Sequence, residues 1–537
     1  MRESVVTVPE RLSEANRLTW DLSDPLGEDR KWRETKFCKL PTLFQKPAAV
    51  EYRKLYETQG RTAANTFLRL LVDELNFANI ELAIDEDAVK AFARNRTQEI
   101  DAICSRSQTS EEAYSSACEL VNVSGLNAPT LEGMTTEETA LARMRDQRWW
   151  KRQIRKAYPR RFEAAAIRCG MVHAKADLYV SNESFRAHES RQARNAATLA
   201  KLDLVNEEGD VYSLEQLVAL SVSNPSNRRN ELMARLHGFD MNAKEKDHMG
   251  LFITITCPSR MHARYGKTGD ANAKYDKTTP RQAQQYLCTL WQRIRANLKH
   301  ANIHMYGFRV AEPQHDGTPH WHILLYTEAS NEVVVKETVL RHALADSPNE
   351  KGAAERRCTF KTIDWSLGSG IGYIAKYISK NIDGAHVEAD LHGQDAKQSA
   401  KRVRAWASIH GIRQFQQFGG PSVTCWRECR KAAIAPRGIL ESAKQAANEG
   451  DWKAFTDVLG GTEINRRSQL VQLEKEFSAE CGLYGEPKGF LITGVTDGLE
   501  VLQTRLHSWT MLKRGEAVRG AAPARPALGF AHLEFCQ

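Results

Sequence analysis

The sequence predicts an α+β protein with a central antiparallel sheet flanked by helices and preceded by a largely helical N-terminal region. Two observations support this fold class. Residues 1 to about 130, and again 183 to about 240, have mostly helical patterns. From Gly250 onward the pattern changes to a strand, a helix and a two-stranded hairpin, which is the order expected of an α+β unit with an antiparallel sheet.

Composition sets limits on the class of protein. The chain has 537 residues, of which 42% are hydrophobic and 26% are charged, and its formal net charge is +8. These values exclude a fibrous or wholly disordered chain and allow several domains. No run of 18 apolar residues occurs, so no membrane association is expected. The 11 cysteines are scattered and the N-terminal residues have no apolar stretch typical of a secretion signal, so we expect a reduced cytoplasmic protein.

We expect four regions along the chain. A helical region of unknown role comes first, a basic helical region assigned to DNA binding second, the domain with the candidate chemistry third, and a region of unknown role last. Their boundaries are 1–130, 131–245, 246–437 and 438–537.

The second region begins with a helix rich in cations. A capping box of Thr135 and Glu138 predicts a helix from Met134 to about Lys156. Cations interleaved with Trp149 and Trp150 would suit a nucleic-acid backbone with bases stacked nearby. The alternative is a solvated helix face with both rings in the core. The cations assigned to DNA binding here are Arg148, Lys151 and Arg152.

The third region begins with a strand and a helix. Leu251–Thr256 is rich in β-branched and aromatic residues, and Pro258 ends the strand. Thr279 is a helix N-cap followed by Pro280 at the first helical position, so a helix should run to about His300.

A hairpin follows and contains a candidate metal site. Strands are expected from about His304 to Glu312 and over His320–Tyr326, with Asp316-Gly317 in the turn. His320 and His322 point to one face because strand side chains alternate. The hairpin would bring Glu312 across from them, and two imidazoles with one carboxylate leave open positions on a divalent ion. The alternative is two partly buried structural histidines.

A helix after the hairpin contains a candidate nucleophile. Tyr373 and Tyr377 are four residues apart and therefore share a helix face. Lys376 and Lys380 form a second pair beside them, and their charges would favour the phenolate and hold phosphate. The alternative is an amphipathic helix that buries both tyrosines. Further on, Arg413, Phe415 and Arg427 are assigned to single-stranded DNA, or else they belong to a last strand and helix that close the domain.

Together these residues resemble a known family. The set is similar to the HUH endonucleases, which carry two histidines around a hydrophobic residue, and within them to the replication gene A protein family of temperate tailed phages. The similarity runs from about Arg148 to Lys431 and is highly specific. The matching segments are Phe252–Ser259, Glu312–His322 and Tyr373–Lys380.

The resemblance implies a rolling-circle replication initiator with an HUH nicking and joining domain. Such an enzyme nicks one strand at the origin and keeps the 5′ end as a phosphotyrosine. Tyr373 and Tyr377 would be the nucleophiles, and His320 and His322 would bind Mg²⁺ or Mn²⁺. Glu312 is the preferred third ligand because Mg²⁺ needs a hard oxygen, with Gln314 and His315 as competitors.

The expected partners follow from the same resemblance. They are origin DNA, single-stranded or melted, together with the host helicase and polymerase, in the cytoplasm of a bacterial host. No nucleotide cofactor is expected, because Gly266-Lys267-Thr268 has Met261 where a phosphate-binding loop needs glycine. A transposase or relaxase and a non-catalytic origin- or operator-binding protein remain alternatives. A zinc hydrolase built on His410, Cys425 and Cys429 is a further one, although their spacing matches no zinc pattern.

Overall fold

The computed structural model describes residues 13–22, 28–75, 86–384, 395–431 and 437–516. Helices dominate the described ranges. In chain order they are α1 Glu14–Leu18, α2 Glu28–Cys38, α3 Thr42–Gln59, α4 Arg61–Leu75, α5 Glu86–Arg106, α6 Ser110–Val123, α7 Glu137–Met144, α8 Gln147–Arg168, α9 Asn182–Leu199, α10 Leu214–Leu220, α11 Pro225–Glu245, α12 Pro280–His300, α13 Glu332–Leu344, α14 Ala353–Arg356, α15 Ile371–Ile382, α16 Ala396–His410, α17 Val423–Lys431, α18 Gly438–Glu449 and α19 Trp452–Val458.

The strands form three antiparallel sheets. Their orders are β6-β3-β5-β4-β7, β11-β1-β2 and β10-β9-β8. The strand bounds are β1 Leu202–Asn206, β2 Val211–Ser213, β3 His248–Thr256, β4 Tyr306–Pro313, β5 Pro319–Glu328, β6 Cys358–Thr362, β7 Phe415–Phe418, β8 Gln472–Cys481, β9 Pro487–Thr496, β10 Val501–Gln503 and β11 Trp509–Lys513. The predicted α+β class with a central antiparallel sheet and a helical N-terminal region is therefore confirmed, and the central sheet has five strands.

The predicted strand and hairpin are β3, β4 and β5, which form the middle of the central sheet. The predicted helix between them is α12. Thr279 caps α12, and its hydroxyl accepts from the Gln282 backbone N–H at 3.4 Å. The predicted turn at Asp316-Gly317 joins β4 to β5, and Gly317 adopts a φ of 82° that favours glycine. In β4, a side chain at Gly307 would collide with the Leu324 carbonyl of β5, so only glycine permits the close pairing.

Each face of the central sheet is covered by its own helices. On one face, Ile253, Trp321 and Ile323 pack in a core with α12, α13 and α16. On the other face, Phe252 and Leu324 pack in a second core with α11, α15, α18 and α19. We call this second surface the α15 face. It contains the even-numbered residues of β3, β4 and β5, because paired strands keep the same alternation.

The N-terminal helices form two cores joined by α8. Ala165, Ala166 and Ile167 pack with α3 and α4. Trp149 and Trp150 pack with α5, α6 and α7, so both rings belong to the core and offer no surface for stacking bases. Among the helices that the structure describes, none has the length and apolar composition that crossing a membrane requires.

Two secondary-structure predictions before residue 246 were wrong. The predicted helix from Met134 to Lys156 is two helices, because Asp146 starts a new one by accepting from the Arg148 backbone N–H at 2.7 Å. The first of the two is capped by Thr136 and Thr139, not by Thr135 and Glu138.

The stretch 183–240 is not helical throughout, because β1 and β2 form a hairpin within it. The side-chain oxygen of Asn206 accepts from the backbone N–H groups of Glu208 and Asp210 at 3.1 and 2.7 Å, which closes the turn. Strands of five and three residues are too short to leave a clear alternation in the sequence.

Candidate metal centre and tyrosine helix

The register of three strands brings the candidate ligands together on the α15 face. Glu312 of β4 lies opposite His320 of β5, which in turn lies opposite Thr256 of β3. His322 is two residues further along β5 and therefore shares the face. The predicted hairpin thus places both imidazoles and the carboxylate on one surface.

The three side chains converge on one point. The Nε2 atoms of His320 and His322 lie 3.0 Å apart. One Glu312 carboxylate oxygen lies 3.8 Å from the Nε2 of His320 and 3.6 Å from that of His322. Within the described ranges, this is the one group of three acidic, histidine or cysteine side chains whose ligand atoms lie within 4.8 Å of one another.

The protonation states suit a divalent cation. Burial raises the pKa of Glu312, but hydrogen bonding to His322 and the charges of Lys380 and the two histidines outweigh burial and bring the pKa to about 2. Burial, aided by the charge of His322, lowers the pKa of His320 to about 3. At neutral pH the carboxylate is therefore ionised and the His320 imidazole is neutral, which are the forms that bind metals.

Three further side chains hold the ligands in place. The Thr254 hydroxyl is 3.0 Å from the Nδ1 of His322, so it fixes the orientation of the ring. The buried amide of Asn381 donates both to the Glu312 carboxylate and to the Tyr377 carbonyl oxygen. The Lys380 ammonium is 3.9 Å from Glu312. Asn381 and Lys380 thus attach the end of α15 to the candidate metal ligand.

The tyrosine helix lies directly over this cluster. Ile374, Ile378 and Ile382 are buried at four-residue spacing and seat α15 on the sheet. The Tyr377 ring stacks on His322 with a centroid separation of 3.9 Å. The Tyr373 ring lies 6.0 Å from that of Phe252, toward β6. Both tyrosines therefore face the sheet, and Tyr377 is the one in contact with a candidate ligand.

The two lysines of α15 do not act alike. The Lys376 ammonium lies 4.9 Å from the centroid of the Tyr377 ring and its side chain is exposed, whereas Lys380 is buried against Glu312. Burial raises the pKa of Tyr377, and the charge of Glu312 raises it further. The expected lowering by the lysines is not found, because the buried carboxylate faces the ring and Lys380 is engaged by it.

The turn between β4 and β5 is stabilised by a buried carboxylate. Asp316 accepts from the backbone N–H groups of Ala263 and Thr318 at 3.0 and 3.1 Å. His315, one competitor for the third ligand position, belongs to this turn and is not part of the ligand cluster. Gln314 starts the turn, where its backbone N–H donates to the Thr318 carbonyl at 2.8 Å.

Comparison with known proteins identifies the family. The model of the bacteriophage replication gene A protein (GPA) family matches residues 83–385. The chain belongs to this family. The predicted membership is confirmed, and the match includes the ligand cluster and the tyrosine helix. No solved structure matches the chain.

Individual replication proteins are similar to the chain over most of its length. It is 39% identical to the replication protein of Haemophilus phage HP1 over 70% of the chain, and 36% identical to the replication gene A protein of Escherichia phage 186 over 72%. It is 32% identical to a protein of Salmonella typhi named probable replication endonuclease from prophage-like region 1, over 71% of the chain. The matches cover 49%, 59% and 50% of these relatives, so the chain spans roughly half of their length.

The cations of α8 that we assigned to DNA binding form one group in this gene A family member. Arg148 and Lys151 line a surface pocket together with Tyr484, which lies between β8 and β9. Arg152 donates to the Tyr484 hydroxyl at 2.7 Å, and Arg148 pairs with Asp146 at 3.2 Å. These three cations remain candidates for DNA binding, and Tyr484, from the hairpin of β8 and β9, lies against them.

The candidates near β7 lie in a different group. Arg427 binds Glu231 of α11 with two hydrogen bonds of 2.9 Å each. Phe415 is buried in β7, and the Arg228 guanidinium lies 5.3 Å from its ring centroid. Arg413 is exposed. The segment therefore does supply a last strand and helix, and Arg413 is its most accessible cation.

The zinc alternative has no support within the described ranges, because His410, Cys425 and Cys429 form no ligand cluster. Sequence reasoning missed both Thr254 and Asn381. Thr254 lies directly across from His322 on β3, but its role depends on a register that the sequence does not specify. Asn381 follows Tyr377 by one helical turn, a spacing that would have suggested a shared face.

We expect Thr254→Val to lower the affinity for Mn²⁺ about 10- to 100-fold, because losing an outer hydrogen bond to a ligand histidine typically has this effect. The substitution keeps the shape of the side chain and removes the hydroxyl. Isothermal titration with Mn²⁺ measures the change. Thr359→Val is the matched control, since Thr359 pairs with Thr254 on β6 and is exposed. Equal affinities for the two variants would contradict the assigned role.

Proposed function

We propose that this chain is a phage or prophage replication initiator that nicks one DNA strand at an origin and rejoins strands during rolling-circle replication. The observation that carries the proposal is the stacking of Tyr377 on His322, a member of the carboxylate–imidazole cluster. The proposed nucleophile and the candidate ligands for a divalent cation therefore lie in one site. The names of the gene A relatives, which include replication endonuclease, support the same assignment.

The proposed reaction is a transesterification. The Tyr377 oxygen attacks the scissile phosphorus, a bond forms between them, and the bond from phosphorus to the 3′ oxygen breaks. The phenolic proton passes to solvent and the departing 3′ oxygen takes up a proton. A 5′-phosphotyrosine and a free 3′ hydroxyl result. The energy of the phosphodiester is conserved, so joining needs no nucleotide cofactor.

The surrounding residues have distinct parts in this reaction. Glu312, His320 and His322 would hold Mg²⁺ or Mn²⁺, which supplies Lewis-acid polarisation of a phosphate oxygen. The exposed Lys376 ammonium beside the Tyr377 ring is available to a substrate phosphate. Lys380 and Asn381 keep the helix over the ligands. Positioning and charge stabilisation are the main requirements of phosphoryl transfer.

A second tyrosine has a use in rolling-circle replication. While one tyrosine holds the first 5′ end, the other would cut the regenerated origin, and the new 3′ hydroxyl would release the first link. Tyr373 shares the face of Tyr377 one helical turn away, which suits this role. The free 3′ hydroxyl would prime the host polymerase, and a host helicase would unwind the duplex in the bacterial cytoplasm.

The test is a denaturing gel with labelled single-stranded DNA from the neighbourhood of the gene. With Mn²⁺ we expect a slow-migrating protein–DNA adduct that disappears when EDTA is added beforehand. Mass spectrometry of the digested adduct should find the nucleotide on the peptide that contains Tyr373 and Tyr377. DNA binding without any adduct would instead favour a non-catalytic DNA-binding protein. An adduct formed only at transposon ends or at a transfer origin would favour a transposase or relaxase.

A further inference from the structure

Each tyrosine of α15 has an exposed lysine beside its ring. The Lys376 ammonium lies 4.9 Å from the ring centroid of Tyr377. The Lys361 ammonium of β6 lies 4.8 Å from the ring centroid of Tyr373. Both lysines are exposed, whereas both tyrosines are half-buried. The proposed reaction gives Lys376 a substrate phosphate to bind, but it leaves the equivalent lysine of the second tyrosine without a role.

The strand register places Lys361 outside the ligand cluster. Lys361 lies opposite Phe252 of β3, and the Phe252 ring lies 6.0 Å from that of Tyr373. The row of the sheet that contains His322 is two residues further along β3, which is about 7 Å. Two strand spacings also separate β6 from β5, so the Cα atoms of Lys361 and His322 are about 12 Å apart.

The Lys361 ammonium is accessible and uncompensated. In the part of the chain that the structure describes, neither an ion pair nor a hydrogen bond engages this ammonium, and its aromatic neighbour is Tyr373. β6 is the outermost strand of the central sheet, so Lys361 lies on an open edge. Lys380 differs in both respects, because it is buried and lies 3.9 Å from Glu312. Lys361 is therefore free to bind an anion that approaches Tyr373.

We propose that Lys361 and Tyr373 form a second phosphate subsite, in which Lys361 binds the phosphodiester that becomes joined to Tyr373. This inference rests on the proposed function and adds a catalytic residue for its second transfer. In that step the Tyr373 oxygen attacks the phosphorus of the regenerated origin, and the bond from phosphorus to the 3′ oxygen breaks. The phenolic proton passes to solvent and the 3′ oxygen takes up a proton. Lys361 stays protonated and donates a hydrogen bond to a non-bridging phosphate oxygen.

The charge of Lys361 serves both the reaction and its product. Negative charge develops on the phosphate as the tyrosine attacks, and a positioned ammonium stabilises that charge. The phosphotyrosine diester that results still carries one negative charge, which an ammonium binds with a charge-assisted hydrogen bond. Because the subsite lies outside the ligand cluster, a 5′ end held there leaves Tyr377 and the candidate ligands open to the next phosphate.

The test uses variants of the full chain and a labelled single strand with two cleavage sites, in Mn²⁺. Lys361→Gln removes the charge and Lys361→Arg keeps it. Lys299→Gln is the matched control, because Lys299 is exposed at the end of α12, on the opposite face of the sheet. Denaturing gels under single-turnover conditions measure the rate constant of the first cleavage and that of the second transfer. The ratio of the second to the first is compared among the variants.

Lys361→Gln should lower this ratio at least about tenfold, which is less than the roughly 100- to 1,000-fold cost of losing an enclosed oxyanion donor because Lys361 is exposed. Lys361→Arg should stay within about threefold of the wild-type ratio, and Lys299→Gln within about twofold. Lys376→Gln should raise the ratio, since it slows mainly the cleavage by Tyr377.

Two results would overturn the subsite. A ratio for Lys361→Gln equal to that for Lys299→Gln would remove Lys361 from the second transfer, while the wild-type adduct would leave the nicking proposal standing. A fall with Lys361→Arg as large as that with Lys361→Gln would indicate that the lysine only packs against the Tyr373 ring.

A measurement without cleavage decides the case in which the wild type forms no adduct. Fluorescence anisotropy measures binding to oligothymidylate in EDTA over a range of salt concentrations. Lys361→Gln should make the plot of log affinity against log salt shallower than Lys299→Gln does, by about 0.7 for one phosphate contact on a single strand. With that difference, Lys361 stands as a phosphate-binding residue although the nicking proposal fails. Equal slopes would overturn both.

Discussion

Replacing Tyr377 with phenylalanine is expected to slow the first cleavage of single-stranded DNA by at least about a thousandfold, because the nucleophilic oxygen is lost. Tyr373→Phe should slow the same step by less than about tenfold. Phenylalanine keeps the ring that stacks on His322, so the fold should be unchanged. Single-turnover formation of the adduct on a denaturing gel measures both rates.

The difference between the two expected effects follows from the way α15 is attached to the sheet. Its C-terminal end contacts Glu312 through Lys380 and Asn381, so the distance from the carboxylate grows toward the start of the helix. Tyr373 is four residues before Tyr377, about 6 Å further along the axis. The Lys361 ammonium of β6 lies 4.8 Å from its ring centroid, on the side away from the ligands.

A second substrate separates the roles of the two tyrosines. A strand with two cleavage sites should give one cleavage with Tyr373→Phe but no transfer of the second 5′ end. Tyr212→Phe is the matched control, because its ring packs against Trp509 in the peripheral sheet. Fast cleavage by Tyr377→Phe combined with none by Tyr373→Phe would reverse the assignment.

Replacing Glu312 with glutamine is expected to reduce Mn²⁺ affinity by more than about a hundredfold, since even an outer hydrogen bond to a ligand is worth 10- to 100-fold. Nicking should fall at least as far. The substitution also leaves the buried Lys380 ammonium without its nearby carboxylate. Removing one partner of a buried charge pair typically costs about 3–5 kcal/mol, so the melting temperature should fall as well.

A double variant distinguishes the effect on the metal from the effect on stability. Glu312→Gln/Lys380→Met replaces the pair with uncharged groups of similar size and should recover much of the lost stability without recovering Mn²⁺ binding. Thermal unfolding in EDTA measures the first quantity and isothermal titration with Mn²⁺ the second. Glu312→Gln with wild-type Mn²⁺ affinity would remove Glu312 from the ligand set.

Local spacing predicted much of the candidate site. The alternation of His320 and His322 and the four-residue step between Tyr373 and Tyr377 define faces within single elements, and the structure keeps both. The cap at Thr279 and the turn at Asp316-Gly317 are likewise local features. The contacts between elements were not predictable, because the register of β3 against β5 and the seating of α15 on the sheet arise from packing of the whole core.

Similar limits left both alternatives open for the two tryptophans of α8. Trp149 and Trp150 have the same sequence context whether they are buried or exposed, and the helices α5, α6 and α7 that bury them lie elsewhere in the chain. Burial, and then the charge of the Glu312 carboxylate that β4 brings near the ring, raise the pKa of Tyr377. The prediction from the neighbouring lysines, that the pKa of Tyr377 would be lowered, was therefore wrong.

The pairing of β1 with β11 sets the order of events during synthesis. Leu202 pairs with Lys513 and Asn206 with Trp509, so about 300 residues after β1 must leave the ribosome before this sheet is complete. Until then one edge of β1 has no partner strand, and unpaired edges promote association between chains. Contacts of such large sequence separation also form slowly, because closing the loop costs entropy first. We infer that the growing chain passes through a late, aggregation-prone stage that ends when β11 adds to the sheet.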